Sequence, residues 1–187
     1  FKSGLSTRGT DANMGASDII EVFSIYAQAS TSSLEQARIL VQFPTDQIIS
    51  ARSAGSIPAS GSVKFKLKLF NAEHSSTTPD SFNLAVMPLS KAWTEGNGLD
   101  MEEYSDTGAS NWISSSVGNP WTTPGADSLD GVYTKSITFD SGLEDLSVDV
   151  TDSVEGWIKE DIDNYGFLIK LSGSAEDGSS KQSYYTK

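Results

Sequence analysis

The clearest pattern in the chain is a strict alternation of apolar and polar positions over residues 63–70. The order there is Val-Lys-Phe-Lys-Leu-Lys-Leu-Phe. A period of two sends successive side chains to opposite faces of a β-strand, so we predict a strand with one face in the core and the other in water. The three lysines, Lys64, Lys66 and Lys68, then neutralise neighbouring carboxylates or discourage pairing at a sheet edge.

Six more segments have the composition of strands, because they are rich in β-branched and aromatic residues and end at turn residues. They are residues 19–28, 37–43, 82–89, 133–139, 146–150 and 165–171. A helical period occurs once, where Val154, Trp157 and Ile158 share one face. Thr151 precedes them as a capping residue type and Asp152 falls in the first turn. These signals predict an all-β protein, an antiparallel, jelly-roll-like β-sandwich with one short helix.

The regular pattern stops between residues 93 and 131, a stretch too long for an ordinary connection. Gly, Asn, Asp, Ser and Pro dominate this long loop, with aromatic residues between them. Three of these, Tyr104, Trp112 and Trp121, are candidate ligand-binding residues, because aromatic faces stack on sugar rings or on partner proteins. The alternative is that they anchor the loop by packing onto the sandwich.

The length of 187 residues suits one domain spanning residues 1–187. Residues 165–171 are almost continuously apolar, which predicts a central strand. The final Tyr184-Tyr185-Thr186 opens like a strand but stops early, and the chain begins with neither a methionine nor a signal peptide. We therefore expect a piece of a longer chain, in which a partner chain or further residues complete the sheet beside the central strand.

Few residues of this chain suit catalysis. Cysteine is absent, which excludes a disulfide framework and a cysteine nucleophile. The one histidine, His74, stands in a polar stretch, and no glycine motif for phosphate binding is present. A net charge of −12 disfavours nucleic acid and anionic lipid as partners, and no apolar run is long enough for membrane insertion. We predict that the protein is not an enzyme and that its partners are proteins or glycans.

Carboxylates cluster in two places along the chain. They are Glu95, Asp100, Glu102, Glu103 and Asp106 in the long loop, and Glu160, Asp161 and Asp163 before residue 165. Hard cations such as Ca²⁺ take oxygen ligands from flexible loops. The simpler interpretation is that the carboxylates are solvated, so we expect no obligatory cofactor and keep Ca²⁺ as the alternative.

Several short segments, taken in order, resemble a known family. They are Asn13-Met14-Gly15, residues 37–43, Ile57-Pro58, residues 63–70, Trp93-Thr94-Glu95-Gly96, Asp149-Val150-Thr151 with Val154 and Trp157, and Asn164-Tyr165-Gly166-Phe167-Leu168-Ile169. This order resembles DNRLRE-type domains, β-sandwich modules of bacterial surface and secreted proteins related to alginate-associated carbohydrate-binding modules. The chain departs from the family in its longer loop and in its short final strand.

The long loop, with Asn111-Trp112 and Pro120-Trp121, is similar to versions of this module carried by structural proteins of marine bacteriophages. The resemblance implies a non-enzymatic structural or adhesive module of a virus particle or an extracellular assembly. Its partners would be other copies or virion proteins. The alternative is a carbohydrate-binding module of a secreted or surface protein, with Tyr104, Trp112 and Trp121 stacking on the sugar.

Overall fold

The computed structural model describes residues 9–75, 77–99 and 108–187 and consists mainly of antiparallel strands. The strands in these ranges are β1 (Val22–Tyr26), β2 (Leu34–Ala37), β3 (Ile39–Val41), β4 (Lys66–Leu69), β5 (Phe82–Pro88), β6 (Ser114–Ser116), β7 (Asn119–Pro120), β8 (Lys135–Phe139), β9 (Leu146–Asp149), β10 (Phe167–Leu171) and β11 (Tyr184–Thr186). The helices are α1 (Asp46–Ser53), α2 (Thr151–Ile158) and α3 (Ser174–Asp177). The predicted all-β class is confirmed. None of these helices is long and apolar enough to cross a membrane.

The largest sheet has four strands in the order β3-β10-β5-β8. Ile169 of β10 lies opposite Ile39 of β3 on one side and Val86 of β5 on the other. Directly opposed residues in antiparallel strands share a face, so these three side chains point into the same core. The prediction of a central strand is confirmed. The expected open edge beside that strand is wrong, because β3 and β5 occupy both of its sides.

One core lies between the inner face of the four-stranded sheet and the remaining strands. Its members are at most 7% exposed: Val22, Ile39, Leu67, Phe82, Leu84, Val86, Phe139, Leu146, Val148, Val150, Val154, Trp157, Phe167, Ile169, Leu171, Ala175 and Tyr184. Most of them come from the four-stranded sheet, from the three-stranded sheet β11-β1-β2 and from the pair β4-β9. Val150, Val154 and Trp157 come from α2 and the residue before it, and Ala175 comes from α3. Burial of apolar surface from separate sheets gives the fold its sandwich-like character.

The alternating segment at residues 63–70 behaves as its pattern predicts. Leu67 is buried, whereas Lys66 and Lys68 are exposed. The ammonium group of Lys64 lies 3.2 Å from the carboxylate of Asp149, on the strand that pairs with β4. At least one lysine of the stripe therefore neutralises a neighbouring carboxylate, as expected.

The predicted helix is present as α2, but its N-terminus is not capped as predicted. The residue preceding it is Val150, and Thr151 is the first helical residue. The Thr151 hydroxyl accepts a hydrogen bond from the backbone N–H of Phe65 at 2.9 Å, and Asp149 accepts one from the backbone N–H of Thr151 at 3.0 Å. The capping role predicted for Thr151 is wrong, because its hydroxyl is used to fasten the helix to the β4 segment.

Two further departures concern the elements themselves. The helices α1 and α3 and the small hairpin β6-β7 were not predicted. The predicted strand at 37–43 belongs to a longer run that divides at Arg38, since β2 pairs with β1 whereas β3 pairs with β10. Arg38 therefore lies where one strand passes from the three-stranded sheet to the four-stranded sheet.

The start of β10 shows why the chain has Asn-Tyr-Gly at residues 164–166. The Asn164 side chain accepts a hydrogen bond from the Gly166 N–H and donates one to the Phe43 carbonyl, at 3.1 and 2.9 Å. Gly166 has φ +83°, and a Cβ there would lie 2.2 Å from the Val41 carbonyl oxygen. Only glycine fits this left-handed, crowded position, which sets the register between β10 and β3.

Candidate ligand-binding cleft

A cleft of about 500 Å³ opens between the three-stranded sheet and the long loop. Its floor is the outer face of β1 and β2, where Phe23 lies opposite Ala37 and Ile25 lies opposite Glu35. These four side chains share a face and are all half-buried. Side chains at alternate positions such as Val22 point the other way, into the core. The cleft therefore lies on the back of the sandwich wall.

The side chain of Asn13 holds one wall of the cleft together. Its amide nitrogen donates to the carbonyls of Glu95 at 2.7 Å and Ser110 at 2.8 Å. Its amide oxygen accepts from the backbone N–H groups of Gly15 at 2.9 Å and Gly98 at 3.1 Å. A neutral amide has two donors and an acceptor oxygen with two lone pairs, so Asn13 uses its full capacity. It joins the segment before β1 to two parts of the long loop.

Two glycines let these backbone segments approach each other. A Cβ on Gly15 would lie 2.3 Å from the Glu95 carbonyl oxygen, and a Cβ on Gly98 would lie 1.6 Å from the Asn13 carbonyl oxygen. No side chain fits in either place. The motifs Asn13-Met14-Gly15 and Trp93-Thr94-Glu95-Gly96, noted separately in the sequence, thus belong to one structural unit.

Arg38 fastens the loop to the edge where β2 passes into β3. Its Nε donates to Glu176 of α3 at 3.0 Å, and its Nη1 donates to the Gly125 carbonyl at 2.8 Å. The ring of Trp112 lies over the guanidinium, with its centroid 4.7 Å from Cζ, a favourable cation–π distance. Because the Arg38 side chain is only 15% exposed, its guanidinium interacts mainly with these partners and not with water.

The long loop also covers the outer face of the four-stranded sheet. Trp121 is 5% exposed there and packs with Leu89 and Leu168 in a second core. Its indole N–H donates to the Asn111 carbonyl at 2.8 Å. The indole of Trp93 donates to the Tyr165 carbonyl at 2.9 Å. The geometry of Trp121 and Trp93 is that of loop anchors.

The three predicted ligand-binding residues thus differ in placement. Trp112 and Trp121 both line the cleft. Trp112 is half-buried and keeps part of its surface accessible, whereas Trp121 offers little. Tyr104 lies outside the described residues.

Three carboxylates line the cleft, those of Glu21, Glu35 and Glu95. Glu21 accepts a short hydrogen bond from the Tyr185 hydroxyl, and burial, together with this carboxylate, raises the pKa of Tyr185 well above its ordinary value. Both carboxylate oxygens of Glu35 are buried and have no hydrogen-bond partner within residues 9–75, 77–99 and 108–187. The sequence around Glu35 gives no signal for a functional carboxylate, because Leu-Glu-Gln-Ala at residues 34–37 has no regular apolar–polar period.

A second concavity, of about 590 Å³, lies beside the loop on the outer face of the four-stranded sheet. Two of the charged groups that line it, Asp127 and Lys170, already have partners. Asp127 accepts the backbone N–H groups of Thr122 and Thr123, both at 2.9 Å. The ammonium of Lys170 lies 3.8 Å from Glu176. Because these groups are satisfied within the chain, this concavity is a weaker candidate for a ligand.

The remaining sequence candidates lie elsewhere. The Nε2 of His74 lies 3.4 Å from the Gly142 carbonyl oxygen, and its ring stands edge-on to Tyr185. The second carboxylate cluster, Glu160, Asp161 and Asp163, follows α2. Within residues 9–75, 77–99 and 108–187 no group of three or more His, Asp or Glu is arranged to hold a metal ion. In the first cluster, Asp100, Glu102, Glu103 and Asp106 lie outside the described residues.

Comparisons with protein-family models, curated proteins and solved structures return no match for this chain.

Proposed function

We propose that this chain is a non-enzymatic adhesive module that holds a carbohydrate in the cleft between the three-stranded sheet and the long loop. The observation that carries the proposal is the pairing of a half-buried indole, Trp112, with an apolar floor made by Phe23 and Ile25. Carbohydrates present apolar C–H faces between hydroxyl groups, so a binding site needs aromatic surface and polar groups close together.

The borders of the cleft supply the polar groups. Glu35 lies on the floor and Glu95 and Asn111 lie on the walls. A volume of about 500 Å³ falls in the range that ligand pockets normally occupy. The resemblance to modules related to alginate-associated carbohydrate-binding domains supports the same function, and with it an extracellular or virion location.

The test is calorimetric titration of oligosaccharides into the purified chain, guided by a glycan array. The ring of Trp112 also gives a fluorescence signal, which we expect to change on binding. The variant Trp112→Ala should lose most of that change and at least about tenfold in affinity, since burial of a large apolar side chain contributes about 1.5–3 kcal/mol. Phe70→Ala, which alters an 80% exposed ring outside the cleft, is the matched control. Absence of binding across the array would contradict the proposal.

A second candidate is a structural module of a virus particle or an extracellular assembly, as the resemblance to phage structural proteins implies. Phe70 and Leu143 are 80% and 53% exposed. Their neighbours Asn71 and Gly142 are joined by a 3.2 Å hydrogen bond, and Asn71 also reaches Thr186 of β11 at 3.0 Å. Two exposed apolar side chains beside the end of a short strand favour contact with another chain.

Light scattering over a concentration series tests this second candidate. Assembly through this surface predicts a defined oligomer that Phe70→Ser and Leu143→Ser abolish. The variant Val132→Ser, at a position that is 79% exposed, is the control and should leave the oligomer intact. A monomer at every concentration would overturn self-assembly. This second proposal includes three statements: the role in a particle, a jelly-roll strand order and membership of the DNRLRE-type family.

A further inference from the structure

The floor of the cleft contains a carboxylate that has no partner among the described residues. Both oxygens of Glu35 are buried and accept no hydrogen bond from this part of the chain. Glu21, on the same wall, is engaged by the Tyr185 hydroxyl. A carboxylate removed from water without a compensating donor is strongly destabilised. Glu35 lines the cleft, so a rotation of its side chain toward a donor in the cleft would remove that penalty.

The charge of the cleft is unbalanced. Three carboxylates line it, and Arg38 is the one basic side chain among the described lining residues. Arg38 is bound to Glu176, to the Gly125 carbonyl and to the ring of Trp112. Its charge is therefore not directed at Glu35, and the complementary ligand is a cation.

The chemistry of the floor favours an organic cation over a metal ion. Divalent metals such as Ca²⁺ require six or more oxygen ligands, and no cluster of that kind is present in the described part of the chain. Phe23 and Ile25 flank Glu35 on the floor instead. An ammonium group has three donors, enough for both carboxylate oxygens, and the body that carries it would lie on the apolar side chains.

We propose that the cleft selects an amino sugar: the half-buried Glu35 side chain turns toward the cleft and pairs with the protonated amine, while the sugar ring packs between Phe23 and Trp112. This inference rests on the proposed function and adds the class of sugar. It makes Glu35 a specificity-determining residue and Trp112 the general sugar-stacking residue. The two roles are separable by experiment.

The test compares two probes of equal length, a glucosamine tetramer with free amines and an N-acetylglucosamine tetramer, titrated at pH 6 and moderate salt. We expect the amine tetramer to bind at least about tenfold more tightly, as a charge-assisted hydrogen bond requires. Glu35→Gln should remove that preference and leave the weaker binding of the neutral tetramer unchanged. Glu160→Gln, an exposed carboxylate outside the cleft lining, should keep the preference.

The melting temperature of unliganded Glu35→Gln provides an independent readout. If Glu35 served the fold, this variant would melt lower; we expect no decrease, because an unpaired buried charge is removed. Equal binding of both tetramers would overturn the amine selectivity and leave carbohydrate binding standing. Tighter binding of a lysine-containing peptide than of the amine tetramer would overturn the inference in favour of a basic protein partner. Binding of neither tetramer would overturn it as well.

Discussion

The long loop contacts the two outer faces of this sandwich-like fold differently. On the four-stranded sheet, Trp121 packs onto Leu168 and is 5% exposed. On the three-stranded sheet, Phe23 and Ile25 stay half-buried at the floor of a cleft. Among the described residues the loop packs onto the first face and only borders the second, so we look for a ligand on the second face.

Polar groups follow the same division. On the closed side the Trp121 indole N–H and the Asp127 carboxylate have partners within the chain. On the open side Glu35 has none in the part of the chain that the structure describes. Buried polar groups are nearly always hydrogen-bonded in native proteins. The bonds on the closed side hold the loop in place, whereas the unpartnered Glu35 oxygens support the ligand-binding function proposed for the cleft.

The largest effect should come from the closed face. Trp121→Ala removes a buried indole from the second core and should lower the free energy of unfolding by about 3–5 kcal/mol. Trp112→Ala, at a half-buried ring on the open side, should cost about 2 kcal/mol or less. Urea denaturation of the two variants checks the difference. Equal losses would mean that the two tryptophans do not differ in role.

The next largest effect on stability concerns Asn13, which holds one wall of the cleft together. Asn13→Asp preserves shape but removes the two amide donors, which leaves the carbonyls of Glu95 and Ser110 without their partner. We expect a loss of about 2–3 kcal/mol in unfolding free energy and weaker carbohydrate binding. Asn119→Asp, on the exposed hairpin, should change neither quantity. A stable Asn13→Asp variant with normal binding would show that this wall is unimportant.

Glu155, unlike Glu35, is a carboxylate with a basic partner, Arg52. Glu155 of α2 accepts two hydrogen bonds from Arg52, at 2.9 and 2.8 Å, and these bonds lower its pKa. A carboxyl with a lowered folded-state pKa stabilises the protein above its unfolded pKa, near 4.3. That stabilisation is lost as the pH falls through the folded value. Arg52→Gln should therefore lower the free energy of unfolding at pH 7 and reduce the loss of stability between pH 5 and 3, which urea denaturation across this pH range measures.

The smallest effect on stability belongs to Glu35. Because its carboxylate has no partner to lose, Glu35→Gln should leave the free energy of unfolding unchanged or raise it by about 1 kcal/mol. Thermal unfolding at pH 7, with Glu160→Gln as the control, measures this. A clear decrease would mean that Glu35 has a structural partner and that the two faces are treated alike.

Local patterns in the sequence predict much of this fold. The period of two at residues 63–70 and the apolar run at 165–171 correspond to β4 and β10, because burial on one or both faces leaves a direct mark on the sequence. The passage of the β2–β3 run between sheets at Arg38 leaves no such mark. It depends on strand pairings with residues far away in the chain.

The candidate site was less predictable than the fold. The sequence indicated Tyr104, Trp112 and Trp121 together, but the exposure of the two tryptophans depends on whether a sheet face lies beneath each ring. The contact between Asn13 and Glu95 spans 82 positions, and neither residue has a local signal for it. Glu35 is a candidate because its oxygens lack a partner among the described residues, and only the three-dimensional structure shows this.

The most direct test of the open face is an NMR titration that follows the tryptophan indole signals and the Phe23 and Ile25 resonances during addition of the glucosamine tetramer. We predict saturable shifts for the Trp112 indole N–H and the two floor residues. Trp157, which is 5% exposed in the main core, should not move. Shifts confined to residues outside the cleft, or no shifts at all, would contradict the assignment of this face as the binding site.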